Sequence, residues 1–243
     1  MNLIITGQII LMLLSMAVKQ QDFEIDIFKT PEGELTITFI GHGTLMMQFN
    51  GKTIHIDPVG TYADYTKLPK ADLILITHHH GDHLDTKTVN LIKKGSTEIV
   101  LTKICNEQYP GGKIINNGET GVFAGITVEA VPAYNIKHMR NENTPYHPKG
   151  EGNGYILHLG DKKVYVAGDT ENIPEMANLN DIFIAFLPMN LPYTMTPEMV
   201  FDAVKMFQPK ILYPYHFGNT DTSLLLNLMK NQRETEVRIR RLN

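Results

Sequence analysis

Residues 73–85 of the 243-residue chain read LILITHHHGDHLD, and this stretch does most to restrict what the chain can fold into. The apolar, largely β-branched run Leu73, Ile74, Leu75, Ile76, Thr77 has the character of a buried strand. It stops against His78, His79, His80, Gly81, Asp82 and His83, so five side chains able to bind a metal or move a proton crowd one strand tip. Along an extended chain successive side chains alternate, which sends His78 and His80 one way and His79 the other. Gly81 permits a tight turn that brings Asp82 and His83 round beside them. Imidazole nitrogens converging with a carboxylate suit Zn²⁺. A lone histidine behind a strand would read as a surface residue; His-x-His-x-Asp-His directly after a hydrophobic run does not.

Composition narrows what such a site can serve. The length fits one large domain or two small ones, and 42% hydrophobic with 20% charged residues is ordinary globular usage. A net charge of −4 gives no electrostatic footprint for nucleic acid, and the cluster Arg238, Arg240, Arg241 reads as a solvated face. Cys105 is the single cysteine, which excludes an internal disulfide and a cysteine-based zinc site and leaves metal binding to His and Asp.

Residues 1–18 are mostly apolar, but the core at 9–14 is too short to span a bilayer, and Ser15-Met16-Ala17 offers small residues where a signal peptidase would read. The expectation is a signal peptide over 1–17, export to the periplasm or beyond, and no stable membrane span after cleavage. Without cleavage the protein would be cytoplasmic. No repeat, low-complexity tract or linker divides 18–243, which reads as one domain.

Alternation predicts strands at 35–40, 44–49 and 53–57, with the first two joined by the turn Gly41-His42-Gly43 and the last two by Asn50-Gly51. A helix capped by Asp85 or Thr86 should run to about Lys94, followed by a strand at 98–101 and a helical turn at 103–108. Hairpins are expected at 119–123 with 126–131, and at 155–159 with 163–167. The polar segment between them, from Pro132 to Gly154, shows no regular structure, and such long loops are often functional. Beyond it lie a strand at 182–187, a helix opened by Thr196-Pro197-Glu198 and stopped before Pro209, a strand at 211–213, a helix at 222–231 and a strand at 236–240. Strands meeting helices in both halves suggest two sheets packed together with helices outside.

Asp169, in Gly168-Asp169-Thr170, and His216, in Tyr213-Pro214-Tyr215-His216, each follow a predicted strand, where ligands would stand if all those tips face one cleft. Together these motifs resemble the metal-binding motifs of the metallo-β-lactamase fold hydrolases. The likeness extends to the Gly41-His42 turn and the Asp57-Pro58 step and covers roughly residues 35–217.

The resemblance implies an α/β (α+β) fold, an αββα sandwich of two mixed sheets flanked by helices, with the site at one edge. It also implies two divalent metal ions, zinc with manganese or iron as alternatives. His78, His80 and His147 would hold one, Asp82, His83 and His216 the other, and Asp169 would bridge. The family commonly places a further histidine where this chain has Asn135; His147, farther along the same loop, is the first replacement and His138 the competitor. Asp57 is expected to support the metal loop rather than ligate.

The implied activity is that of a dinuclear metal-dependent hydrolase whose metal-bound hydroxide cleaves a small ester, lactone or phosphodiester. Asp82 is the candidate for taking a proton, and His42, Tyr134, Asn190 and Tyr193 are candidates for touching a small-molecule substrate. The Gly-His turn and the Pro188-Met189-Asn190 and Tyr-Pro-Tyr-His stretches look most like the branch with L-ascorbate-6-phosphate lactonase and N-acyl-phosphatidylethanolamine phospholipase D. The alternatives are a metallo-nuclease acting on RNA, disfavoured by the acidic balance, and a non-catalytic metal-binding protein that keeps the fold. A homo-oligomer is compatible with the sequence.

Overall fold

The computed structural model describes residues 22–242, so the expected signal peptide lies outside the described residues. The first of two seven-stranded mixed sheets follows chain order: β1 (Glu24–Thr30), β2 (Gly33–Gly41), β3 (Thr44–Phe49), β4 (Lys52–Ile56), β5 (Leu73–Leu75), β6 (Glu98–Leu101) and β7 (Lys113–Ile114). Its first four strands are antiparallel hairpins. From β4 to β7 the strands run parallel, with α1 (Thr86–Ile92) and α2 (Lys103–Gln108) in the crossovers.

The second half comprises β8 (Thr120–Phe123), β9 (Ile126–Ala133), a separate hairpin of β10 (Met139–Asn141) and β11 (Thr144–Pro145), then β12 (Gly152–Leu159), β13 (Lys162–Val166) and β14 (Ile182–Pro188). Helix α3 (Pro197–Phe207), β15 (Ile211–Tyr215), α4 (Thr222–Met229) and β16 (Glu236–Val237) complete it. The second sheet has the order β16-β15-β14-β13-β12-β9-β8. It too is antiparallel from β8 to β13 and parallel from β13 to β16. The two halves thus share one plan without a repeat legible in the sequence.

Alternation makes the layers. Leu73 and Leu75 face a core shared with Val128, Leu157 and Val166 of the other sheet. Ile74 and Ile76 face the opposite way, into a second core with Val89 and Ile92 of α1 and Cys105 of α2. Val200, Ala203, Val204 and Phe207, spaced as one face of a helix, lay α3 against the second sheet, where the Phe207 ring meets Tyr165 edge-on at 5.8 Å. The result is the expected four-layered αββα sandwich.

Several expectations need correction. The polar segment before residue 35 holds β1, in which Ile25 and Ile27 point to solvent while Asp26 is turned inward. Its carboxylate accepts from Arg240 Nη2 at 2.6 and 2.7 Å and from Arg238 Nη1 at 3.3 Å. Arg238 and Arg240 therefore tie the last described residues to β1, while Arg241 is solvated as expected, and the last strand is confined to Glu236–Val237. The segment from 132 to 154 is also ordered: β9 runs on to Ala133, β12 starts at Gly152, and β10–β11 fills the middle. Finally, β5 ends at Leu75 rather than Thr77, because the Thr77 N–H leaves the ladder to donate to Asp57 Oδ1 at 2.8 Å.

Candidate metal centre

The tips of β4, β5, β13 and β15 and the β2–β3 turn all open on one edge of the sandwich, and each delivers a polar side chain there. Asp57, at the end of β4, is fully buried and has a left-handed backbone (φ 46°). Its Oδ2 accepts from the Thr77 hydroxyl at 2.6 Å and from His83 Nδ1 at 2.8 Å. With its hydroxyl proton given to Asp57, Thr77 Oγ1 can accept from His78 Nδ1 at 3.0 Å. One carboxylate thus fixes two imidazoles with their Nε2 atoms turned into the cleft, the supporting role expected of Asp57.

His42 and His216 also have left-handed backbones (φ 53° and 46°), and the His216 N–H donates to the His42 carbonyl at 3.0 Å, joining the two sheets. Non-glycine residues in this conformation carry strain, and such residues cluster at functional sites. Gly43 has no room for a side chain: a Cβ there would lie 2.8 Å from His83 Cε1.

The donor atoms form three overlapping groups, in each of which they lie within 4.8 Å of one another: His78, His80, His147; Asp82, His83, His216 with His42; and His78, His83, Asp169. His78 Nε2 is 3.1 Å from His80 Nδ1. Asp169 stands between the groups, with Oδ2 at 3.3 Å from His147 Nε2 and 3.5 Å from His216 Nε2, and Oδ1 at 3.5 Å from His83 Nε2. Asp82 Oδ2 is 3.6 Å from His216 Nε2 and 3.3 Å from His42 Nε2.

Four of these atoms, His83 Nε2, His147 Nε2, His216 Nε2 and Asp169 Oδ1, are buried with no hydrogen-bond partner among the described residues. A buried polar atom without a partner is costly, and three such imidazole nitrogens set 3.3–3.5 Å from one carboxylate call for cations between them. Ligands about 2.0–2.1 Å from a tetrahedral metal stand about 3.3 Å apart, close to the separations here. The donor set therefore fits divalent metal.

Electrostatics agrees. Burial alone would raise the Asp169 carboxyl, but the surrounding His216, His83, His147 and His78 imidazoles hold it well below the usual range. Burial and the surrounding imidazoles push His78 well below its ordinary value and His80 to about 4, leaving them neutral as ligands must be. For His83 burial is outweighed by Asp169, Asp57 and Asp82, which raise it to about 9, so a cation bound there has to displace its Nε2 proton.

A cleft of about 560 Å³ opens over this cluster, lined by His42, His80, Asp82, His147, Asp169, Asn190, Tyr193 and His216. Tyr134 is absent from it. That candidate is a correction: the Tyr134 hydroxyl is turned away to Glu175 at 2.9 Å, with Lys149 beside it. His138 is not part of the cluster either, its Nδ1 lying 2.8 Å from the Thr194 carbonyl. The cleft also contains Tyr62, Arg140 and Tyr146, which the sequence did not single out. Arg140 Nη2 lies 3.3 Å from His80 Nε2, and Tyr62 stacks on His42. Nothing local marks a loop arginine or tyrosine as facing a cleft.

An αββα sandwich with a histidine–aspartate cluster at its strand tips is the architecture of the metallo-β-lactamase class. A model of the beta-lactamase superfamily domain matches residues 36–216. A UPF0173 metal-dependent hydrolase of Geobacillus sp. (strain WCH70) is 33% identical over 196 residues, spanning 76% of this chain and 86% of that one. Among solved structures, a Parabacteroides distasonis protein assigned as a metal-dependent hydrolase superposes with a TM-score of 0.87 at 50% identity, covering 91% of this chain and all of that one. Igni18, a metallo hydrolase of Ignicoccus hospitalis, shares the fold at a TM-score of 0.71 and 24% identity over 86% of this chain and 96% of its own. The chain belongs to the metallo-β-lactamase superfamily.

Proposed function

We propose that the chain is a metal-dependent hydrolase of a small ester, lactone or phosphodiester. His78, His80 and His147 would hold one divalent ion, Asp82, His83 and His216 a second, and Asp169 both. The observation that carries this reading is that buried, partnerless His83 Nε2, His147 Nε2 and His216 Nε2 all face the Asp169 carboxylate. Bound there, the cations supply Lewis acidity and bring the pKa of a water from about 15.7 toward 7, so that no serine or cysteine nucleophile is needed.

The chain's own residues do the rest. Asp82, part-exposed in the cleft, has a carboxyl that burial would raise but that the His216 and His42 imidazoles hold far below its ordinary range. It is therefore ionised, a weak base whose Oδ2 can hold a proton only in passing. His42 Nε2, 3.3 Å away, can pass that proton on to a leaving group in the cleft. Burial lowers the His42 pKa, which keeps the imidazole neutral between transfers. Asn190 and Tyr193 form the wall against which substrate is oriented.

The reading is tested by metal analysis of purified protein together with a panel of chromogenic lactones, bis-aryl phosphodiesters and cephalosporins. The expected result is two ions per chain, turnover of one ester class, and loss of turnover in Asp82→Asn. A metal-loaded protein silent on every substrate would favour a binding protein, and no metal at all would remove the reading.

A further inference from the structure

We infer that Asn135 is the positioning residue that delivers His147 to the metal centre, and that Glu171 dictates an amide at that position. The inference rests on the metal-binding reading above and extends it to residues that touch no ligand.

Asn135 and His147 are joined by three hydrogen bonds. The Asn135 N–H donates to the His147 carbonyl at 2.8 Å, and Asn135 Oδ1 accepts from the His147 N–H at 2.9 Å and from His147 Nδ1 at 2.6 Å. The orientation of the carboxamide is settled by what lies behind it. Its Nδ2 faces two acceptors, Glu171 Oε1 at 3.1 Å and the Tyr193 carbonyl at 2.9 Å, so Nδ2 must be the donor and Oδ1 the acceptor. His147 Nδ1 therefore carries the proton and Nε2 presents a lone pair to the site. In the neutral ring that lone pair meets Asp169 Oδ2 at 3.3 Å, an encounter of two acceptors that a cation between them makes favourable.

Glu171 explains why the orienting group is an amide. Its buried carboxylate accepts from the backbone N–H groups of Ile136 at 2.9 Å, Lys137 at 2.8 Å and His138 at 2.6 Å, folding the loop back on itself. An aspartate at 135 could orient His147 equally well, but its second oxygen would confront Glu171 Oε1 where Nδ2 now donates. The loop therefore backs His147 with a neutral group, whereas His83 is backed by the Asp57 carboxylate. A carboxylate partner raises the basicity of a ligating imidazole more than an amide does. The ion held by His78, His80 and His147 is accordingly the more easily removed.

The test uses the full chain, stripped of metal and titrated with Zn²⁺ against a chromogenic chelator, with the His147 tautomer read from long-range ¹H–¹⁵N spectra of the metal-free protein. Wild type should show the Nδ1–H tautomer and two ions, one held at least about tenfold less tightly. Asn135→Ala should mix the tautomers and weaken the looser ion about 10–100-fold, leaving the tighter one within about twofold. Asn135→Asp should lose the looser ion as well, because its second oxygen would face Glu171 Oε1. A wild-type Nε2–H tautomer, equal weakening of both ions, or no weakening in Asn135→Ala or Asn135→Asp would overturn the inference. Wild-type protein that binds no divalent ion would instead overturn the functional reading, and the tautomer would still decide the role of Asn135.

Discussion

His83 and His147 stand on opposite sides of Asp169 and are held there in different ways. His83 sits in a run that begins at a strand tip, and its partner Asp57 is anchored by the Thr77 N–H and hydroxyl at the end of the neighbouring strand. His147 lies between β11 and β12, and its place depends on Asn135, twelve residues earlier, and on Glu171 beyond β13. One side of the centre is built into the sheet. The other is folded onto it by hydrogen bonds between loops. Stability and metal affinity should therefore be tied together on the first side and separable on the second.

Removing the group the two sides share has the largest effect. Asp169→Ala should cost both ions, seen as metal content near zero, and lower kcat/KM by more than the about 100-fold expected of any outer partner. Asp57→Ala comes next. It leaves His83 buried without its carboxylate and should destabilise the fold by about 3–5 kcal/mol in urea titrations, whereas Asn135→Ala should leave stability within about 1–2 kcal/mol. Equal losses in the two variants would erase the distinction between the sides.

The pH dependence of the metal-free protein sharpens it further. His83 is raised to about 9 in the fold against an ordinary 6.5, so folding takes up a proton there. The contribution is fully present below about pH 6.5 and is lost as pH rises through about 9. Denaturation midpoints of metal-free protein should fall over that window, and those of His83→Gln should fall less. The smallest effect belongs to Tyr134→Phe. It removes bonds to Glu175 and Lys149 outside the cleft, so melting should change by no more than about 1 kcal/mol and kcat/KM should not change.

The same contrast explains what could be read from the sequence. Period-two alternation is local, and it placed Leu73 and Leu75 in one core and Ile74 and Ile76 in the other. His78, His80, Asp82 and His83 are legible for the same reason, since six consecutive residues carry the pattern. Tyr134 adjoins Asn135 in sequence, but nearness in sequence does not set the direction of a side chain, and its hydroxyl meets Glu175. The inward turn of Asp26 has no local signal either: the charged residue of β1 faces inward because Arg238 and Arg240, far along the chain, meet it. The holding of His147 by Asn135 and Glu171, and the turning of Arg140 into the cleft, are tertiary facts with no local signature.

Anomalous scattering from crystals grown with Zn²⁺ tests the central claim most directly. The account expects two peaks about 3.5–4 Å apart astride Asp169, one among His78, His80 and His147 and the other among Asp82, His83 and His216. A site without any peak, or metal bound only at the surface away from Asp169, would contradict it.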